Sequence, residues 1–184
     1  MLVKNFKRML NRLRFWIKNV HNADIAALPV DFSICAVMSK RQLYNSVEVG
    51  MKLIFCIDEK KGMMFFGKRQ SQDSVLREWI VNHTAGSKLW MSNYSAKQFK
   101  NLTGYIADDD YVEKATVGDY CFIEDKGYSL EKVSEIILCQ WNRRYQADRV
   151  FDIDLKANGF KKATSEDIKG SSHDKITIET YRKG

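Results

Sequence analysis

The chain has 184 residues, of which 45% are hydrophobic and 12% aromatic, with 30 basic and 23 acidic side chains and a formal net charge of +7. This length and composition suit one well-filled core and exclude a disordered protein or two full-sized domains. Six basic residues lie among the first 23, before any acidic residue, so the rest of the chain holds 24 basic and 23 acidic residues. A protein that coats nucleic acid over its whole surface is therefore excluded.

Apolar residues recur at three- and four-residue steps from Leu2 to Val20, and basic residues fill the remaining circumference. This pattern predicts an amphipathic helix. We therefore predict two parts, a basic helical arm over residues 1–23 and a single globular domain over residues 24–184. The arm has three interpretations: contact with an anionic membrane surface through residues 1–20, contact with DNA phosphates, or packing on the domain with the charges in water.

The remaining elements follow from apolar periodicity and turn chemistry along the chain. Residues 104–118 are predicted to form a loop, and the last 20 residues suit either a strand or a short helix. Together the predicted elements indicate a mixed α/β or α+β fold, in a single compact domain with a mixed sheet. Strands are predicted at 30–38, 48–58, 119–124, 135–141 and 150–155, and helices at 71–82 and 95–102.

Each of the four cysteines lies in a hydrophobic stretch, without a CxxC pair or a histidine at metal-ligand spacing. Buried free thiols in a reducing cytosol are the simplest expectation. No apolar run approaches the roughly 20 residues that span a bilayer, and basic residues interrupt any secretory signal. The expected location is the cytoplasm, with the inner-membrane face as the place the basic arm could reach.

The segment 169–175 combines a glycine, two serines, a histidine and flanking lysines. Such a loop can aim N–H and O–H donors at an anion, so it is a candidate nucleotide-phosphate site. An ordinary polar turn is the alternative. The candidate catalytic residue is His173, and the candidate phosphate-binding residues are Gly170, Ser171, Ser172 and Lys175.

A second candidate site lies at residues 152–156, where Asp154 and Lys156 would share one face of a strand. This spacing is similar to the D/E-x-K half of restriction-type nuclease sites, in which carboxylates hold Mg²⁺ and the lysine orients the attacking water. Asp152, Asp154 and Lys156 are therefore candidate catalytic residues, with Asp154 as the candidate metal ligand. A solvated strand face is the alternative. A more distant carboxylate would be needed, from Asp119, Glu124 or Asp125.

Residues 141–145 interleave aromatic side chains with Arg143 and Arg144. Such a surface can stack bases and hold phosphates, and a core Trp and Tyr flanked by exposed arginines is the alternative. A Ser-His-Asp site cannot be assigned from spacing, because such triads converge in space. The candidate DNA-binding residues are Arg143 and Arg144 together with Lys4, Lys7, Arg8 and Arg12 of the arm.

The segment 170–174 is similar to the Gly-Gly-Cys-His-Arg loop of the ParB/sulfiredoxin fold at Gly170 and His173, while Ser171, Ser172 and Asp174 depart from it. More widely, the chain resembles the plasmid fertility-inhibition proteins of the Osa/FiwA type. The resemblance rests on the basic N-terminal helix, on residues 83–87 and 137–143, and on residues 170–173.

This resemblance implies a ParB/sulfiredoxin-like domain with ATPase and DNase activity, supported by ATP and Mg²⁺. It implies a plasmid-encoded factor that blocks conjugative DNA transfer by a type IV secretion system. The implied partners are the substrate DNA and a coupling-protein ATPase, without a stable heteromer. Two alternatives stay open: a non-catalytic interaction protein that docks on a membrane- or DNA-associated partner through its basic helix, and a small nuclease toxin.

Overall fold

A computed structural model describes residues 50–184 of the chain. They belong to one compact unit, Val47–Gly184. The predicted arm, the predicted strand at 30–38 and the predicted domain boundary after residue 23 lie outside the described residues, so these three stay predictions. No helix within residues 50–184 is long and apolar enough to cross a membrane.

The described residues form ten strands and three helices. The strands are β1 (Met51–Ile57), β2 (Gly62–Phe65), β3 (Lys68–Arg69), β4 (Leu89–Met91), β5 (Tyr105–Ala107), β6 (Tyr120–Ile123), β7 (Val133–Gln140), β8 (Arg149–Val150), β9 (Phe160–Ile168) and β10 (Ile176–Lys183). The helices are α1 (Ser74–His83), α2 (Asn93–Ala96) and α3 (Tyr111–Lys114).

Seven strands form the main sheet, in the order β5-β4-β6-β1-β7-β10-β9. The first five are parallel to one another, and β10 pairs antiparallel with both β7 and β9. Strand β1 is central, and all seven of its residues are buried, as is typical of a parallel strand covered on both faces. The parallel strands therefore end side by side. We call this place the carboxyl edge, and the residues that directly follow the five strands are Asp58, Ser92, Asp108, Glu124 and Trp141.

The two faces of the sheet carry separate cores because successive side chains of a strand point to opposite sides. Leu53 and Phe55 of β1 pack with Phe151, Ile153 and other residues on one face. On the other face, Ile54 and Cys56 pack with the buried side chains of α1. Cys56, Cys121 and Cys139 are buried free thiols, which confirms the expectation for these three cysteines.

Helix α1 confirms the helix predicted at 71–82, with a start three residues later. Asp73 is its N-cap, and the Oδ1 atom of Asp73 accepts hydrogen bonds from the N–H groups of Val75 at 3.0 Å and Leu76 at 3.2 Å. An N-cap carboxylate satisfies N–H groups that have no partner inside the helix. Leu76 and Ile80 then point one helical turn apart into the core.

Three predicted elements differ from the structure. The strand expected at 150–155 ends at Val150, because Phe151 and Ile153 are buried by packing on the sheet rather than by strand pairing. The loop expected at 104–118 contains β5 and α3, which are too short to show a period in the sequence. The helix expected at 95–102 is α2, which begins at Asn93 because Ser92 caps it and which is only four residues long.

Candidate active site

Residues 69–73 connect β3 to α1 and run along the carboxyl edge. Four side chains of this segment reach polar groups on three other parts of the chain, so a short linker holds a connected polar network. The contacts are Arg69 with Glu124, Gln70 with Asp58, Ser71 with His173, and Asp73 with Ser172.

His173 lies at the centre of the network and is 3% exposed. Its Nε2 atom lies 3.3 Å from the Ser71 hydroxyl and 3.1 Å from the Tyr145 hydroxyl. Its Nδ1 atom lies 3.0 Å from the Ser172 hydroxyl and 3.4 Å from Oδ2 of Asp73. The ring stacks on Trp141, with centroids 4.7 Å apart. The imidazole therefore joins a hydroxyl to a carboxylate through its two nitrogens.

The carboxylate of Asp73 is sealed from solvent and heavily hydrogen-bonded. Besides the two N–H groups of α1, its Oδ2 atom accepts from the Ser172 backbone N–H at 2.7 Å and from the Ser172 hydroxyl at 3.0 Å. Burial alone would raise the pKa of Asp73, but the hydrogen bonds from Ser172, Ser171 and Leu76 outweigh it and hold the pKa well below its ordinary value. Asp73 is therefore ionised at neutral pH.

The Nδ1 atom of His173 faces the ionised Asp73 and the Ser172 hydroxyl, and this favours the tautomer with the hydrogen on Nδ1. A hydrogen on Nδ1 can be donated to the carboxylate, whereas a lone pair on Nδ1 would face negative charge. The Nε2 lone pair then points to the hydroxyls of Ser71 and Tyr145. Ser71 is half-buried, whereas the His173 and Asp73 side chains are 1% and 0% exposed. Ser71 and Tyr145, which is also half-buried, are thus the partly exposed members of the group.

A buried ion pair anchors the start of the same segment. The Arg69 guanidinium donates to both Glu124 oxygens, at 3.1 and 3.2 Å, and also to the Tyr94 carbonyl oxygen at 3.0 Å. Glu124 further accepts from the Ser95 hydroxyl at 2.7 Å and from the Gln98 amide at 3.1 Å. Burial raises the pKa of Glu124, and Arg69 opposes that shift. The pair fixes residue 69 and hence the path of the chain towards Ser71.

Gln70 connects the segment to the turn after β1. Its Nε2 atom donates to Asp58 at 3.4 Å and to the Gln146 carbonyl oxygen at 3.2 Å. Asp58 also accepts from the N–H groups of Gly62 at 2.7 Å and Tyr145 at 2.9 Å. The carboxylate of Asp58 thus holds together the three chain segments that surround Ser71.

The loop at 170–175 is where the phosphate site was predicted, and most of its donors bind the protein itself. Gly170 N–H donates to the His173 carbonyl oxygen at 2.9 Å, and the N–H of Ser172 is taken by Asp73. The Ser171 hydroxyl accepts from the Ser74 N–H at 3.0 Å, and Lys175 pairs with Asp167 at 3.0 Å. The loop joins β9 to β10 and binds the start of α1.

The residues of the predicted D-x-K site lie elsewhere. Asp152, Asp154 and Lys156 border a groove of about 550 Å³ on the sheet face that carries Leu138. Asp152 accepts from the Tyr128 hydroxyl at 3.1 Å, and Asp154 accepts from the Ala157 N–H at 2.9 Å in a turn. These residues are not part of a strand, so the shared strand face expected for Asp154 and Lys156 does not exist.

The candidates for a more distant metal ligand are Asp119, Glu124 and Asp125. Asp119 precedes β6, whereas Glu124 and Asp125 follow it at the opposite end of that strand. No group of three or more His, Cys, Asp or Glu side chains that could hold a metal ion occurs within residues 50–184.

Arg143 and Arg144 are exposed in the turn after β7, and the Arg143 carbonyl oxygen accepts from the Glu59 N–H at 3.0 Å. Trp141 and Tyr145, which flank them, turn inward to His173. The other predicted DNA-binding residues, Lys4, Lys7, Arg8 and Arg12, lie outside the described residues. The predicted DNA partner, the coupling-protein ATPase and the membrane contact stay predictions.

The topology defines an α/β domain whose sheet is parallel over five strands and closed at one side by an antiparallel pair. It is similar to the structure of dihydrofolate reductase from Enterococcus faecalis complexed with NADP(H) and RAB-propyl, with a TM-score of 0.54 and 14% identity over 74% of this chain and 97% of that chain. At this identity the likeness shows the fold alone. No family model and no curated protein matches the sequence.

The predicted ParB/sulfiredoxin-like fold is therefore wrong, and the domain has a dihydrofolate-reductase-like fold. The resemblance to plasmid fertility-inhibition proteins is wrong as well, and with it the implied block of conjugative transfer and the ATPase and DNase activities. The prediction of ATP and Mg²⁺ is also corrected, since the similar structure is a complex with NADP(H). A five-residue segment that matches only at Gly170 and His173 could not define a fold, because a Gly-Ser-Ser-His turn also connects two antiparallel strands, as it does here between β9 and β10.

Three members of the His173 group escaped the sequence analysis: Ser71, Asp73 and Tyr145. Asp73 carried a usable signal, since an aspartate directly before an apolar helical period is a typical N-cap. No local sequence pattern links Ser71 or Tyr145 to His173, because they are 102 and 28 residues away from it in the sequence.

Proposed function

We propose that this domain is a serine hydrolase that acts on an ester or a similarly activated acyl compound, with Ser71 as the nucleophile. The observation that carries the proposal is the imidazole of His173 between the Ser71 hydroxyl and the Asp73 carboxylate. A nucleophile next to a base that is itself oriented by a third group is the general arrangement for nucleophilic catalysis.

Each member of the group has a role that its surroundings support. Asp73 is ionised and buried, so it can orient His173 and stabilise the imidazolium that forms when the base takes a proton. Trp141 covers one face of the ring and keeps it in place. The distances of 3.3 and 3.4 Å are long for hydrogen bonds, as is common at sites without substrate.

The reaction would proceed in two balanced steps. The Ser71 oxygen attacks the acyl carbon while its proton moves to Nε2 of His173, and that proton then passes to the departing alcohol as the acyl–oxygen bond breaks. Water next attacks the acyl group on Ser71 and gives a proton to His173. The acid leaves as the proton returns to the Ser71 oxygen.

The negative charge on the acyl oxygen needs donors near Ser71. The backbone N–H groups of Ser71 and Gln72 have no hydrogen-bond partner among the described residues, so they are free to serve. The Tyr145 hydroxyl shares Nε2 of His173 with Ser71 at rest and is a further O–H donor at the site. These three groups are the candidates for the oxyanion contacts.

A fluorophosphonate probe tests the nucleophile directly, because it phosphonylates activated serines. Labelling of the full chain is measured by intact mass, and the labelled residue is located by peptide mapping. We expect one adduct, on Ser71, and loss of labelling in Ser71→Ala and His173→Gln. Ser165→Ala, at an exposed serine of β9, is the matched control and should label like the wild type.

The rate at which the protein hydrolyses p-nitrophenyl acetate measures its catalytic activity. Ser71→Ala should lower kcat/KM by about 100-fold or more. The proposal is wrong if the folded wild type is not labelled, if the adduct lies on another serine, or if Ser71→Ala hydrolyses the ester at the wild-type rate.

A further inference from the structure

Strand β9 (Phe160–Ile168) lies at one end of the main sheet and is its longest strand. It pairs with β10 on one side, and no strand within residues 50–184 pairs with it on the other. Residues 161–167 are exposed in succession, so both faces of the strand reach solvent. An edge strand has N–H and C=O groups along its outer side that another strand can bind.

The charges of β9 are divided between its two ends. Two lysines follow its first residue, and two acidic residues precede its last. One lysine and one acidic residue are already paired inside the domain: Lys162 with Glu179, and Asp167 with Lys175. Lys161 and Glu166 are exposed and form no ion pair within residues 50–184. Each of them is therefore able to pair with a group outside the domain.

A bulge places these two side chains on the same face of the sheet. The pairing of β9 with β10 skips Ala163. Glu166 lies opposite Ile178, which belongs to the core that contains α1. Lys161 lies opposite Arg182, four residues further along β10 and so on the same face as Ile178. Because opposite residues of an antiparallel pair share a face, Lys161 and Glu166 share the α1 face although they are five residues apart.

We infer that two copies of this chain pair through β9, antiparallel and about a two-fold axis between Ala163 and Thr164, and so form a dimer with a continuous sheet. This register places Lys161 of each copy opposite the partner's Glu166, and the two-fold axis makes two such ion pairs. A shift of one residue would put the two charges on opposite faces, so the charges favour a single register. The small side chains at the axis allow the two strands to approach closely.

The charges around β9 agree with a second copy as the partner. Lysines and bulges commonly guard an edge against other strands, but a second β9 presents its acidic end to these lysines. Among the neighbouring charges, Arg182 is already paired with Glu135, and Lys183 adds to the basic end. Lys169 and Asp174 of the following loop carry opposite charges. The inference is independent of the hydrolase proposal, because self-association and labelling of Ser71 are measured separately.

Sedimentation velocity of the full chain tests the inference. A single pair of strands makes a small interface, so the mass should rise from 21.4 kDa towards twice that value only between about 5 and about 500 µM protein. Lys161→Glu and Glu166→Lys each place like charges opposite one another, and each should raise the dissociation constant by about tenfold or more. The double variant K161E/E166K restores opposite charges and should associate within about threefold of the wild type.

An equimolar mixture of the two single variants separates lost pairing from lost folding. Each variant offers the charge that the other needs, so the mixture should form a mixed dimer although neither variant associates alone. Lys100→Glu, at an exposed lysine after α2, is the matched control and should associate like the wild type.

Three results would overturn the inference: a chain that stays monomeric, charge reversals that leave association unchanged, or a double variant and a mixture that both fail to regain it. Hydrogen exchange at low protein concentration provides a further test. If the β9 amides that do not bond to β10 exchange slowly in the monomer, another part of the chain, such as the predicted strand at 30–38, covers this edge and the inference is wrong.

Discussion

The imidazole of His173 lies stacked on the indole of Trp141, with the two planes inclined by 23°. Both side chains are at least 97% buried, and they come from the end of β7 and from the loop before β10. Antiparallel pairing of β7 with β10 sets this contact, because Thr177 lies opposite Gln140, one residue before Trp141. The orientation of the proposed base thus depends on the pairing of the sheet.

Replacing Trp141 tests whether its stack orients the His173 ring in addition to stabilising the domain. Trp141→Leu removes the surface under His173 and should lower the free energy of unfolding by about 2–3 kcal/mol, as a large-to-small core change. It should also slow labelling of Ser71 by a fluorophosphonate. Trp141→Phe keeps an aromatic face, so its labelling should stay within about threefold of the wild type. Equal labelling rates in the two variants would show that the stack does not position His173.

Asp73 should make stability depend on pH at the acid end. Its folded-state pKa is below the ordinary value of 3.8, so its contribution is complete above that value and is lost as the pH falls towards the lower, folded-state pKa. Asp73→Asn keeps an N-cap side chain but loses the charge, and near neutral pH it should cost about 1–2 kcal/mol. Urea unfolding from about pH 6 to about pH 3 measures the difference between the two proteins. We expect that difference to shrink below pH 3.8, and a constant difference would contradict the role of the charge.

Arg69 and Glu124 should behave as a coupled buried pair. Glu124→Ala removes the acceptors of Arg69, Ser95 and Gln98 and should cost about 3 kcal/mol, and Arg69→Met, which leaves the buried Glu124 carboxylate without a cation, should cost a similar amount. The double variant should cost less than the two single changes together, with a coupling of at least about 1 kcal/mol from denaturant unfolding. Strictly additive costs would show that the contact contributes little.

Glu124 should also make stability depend on pH, with a sign opposite to that expected for Asp73. Burial raises the folded-state pKa of Glu124 above 4.5, so protonation favours the folded form. Relative to Glu124→Gln, the wild type should therefore be most stable at low pH and should lose stability as the pH rises above 4.5. Unfolding curves of both proteins across this range provide the measurement. If the wild type gains stability relative to the variant as the pH rises, the prediction is wrong.

Gly62 should not tolerate a side chain. A Cβ atom at this position would lie 2.6 Å from the Cβ of Ala147 and closer still to the amide of Gln70. Gly62→Ala should therefore destabilise the domain by about 1–3 kcal/mol through overpacking, measured by thermal and urea unfolding. Gly127→Ala, where an added Cβ meets nothing within 4 Å, is the matched control and should change stability little.

Patterns among neighbouring residues were sufficient to predict two elements of the fold, β1 and α1. The apolar run of β1 and the three- and four-residue period of α1 are properties of neighbouring residues, and both elements occur as predicted. The segment 150–155 shows the limit of such patterns. Its alternation of apolar and acidic residues is genuine, but Phe151 and Ile153 pack on the sheet from a segment that is not itself a strand.

The sequence alone determined a strand at β1, an amphipathic helix at α1, buried free cysteines and His173 as a candidate catalytic residue. Only the tertiary structure decided what His173 contacts and which fold contains it. Asp73 is 100 residues away from it and Ser71 is 102 away. No local pattern encodes that distance, because the groups meet only after β10 has paired with β7 and α1 has packed on the sheet. Hydrogen-bond register and core packing over the whole domain set the contacts of a residue that the sequence could only mark as a candidate.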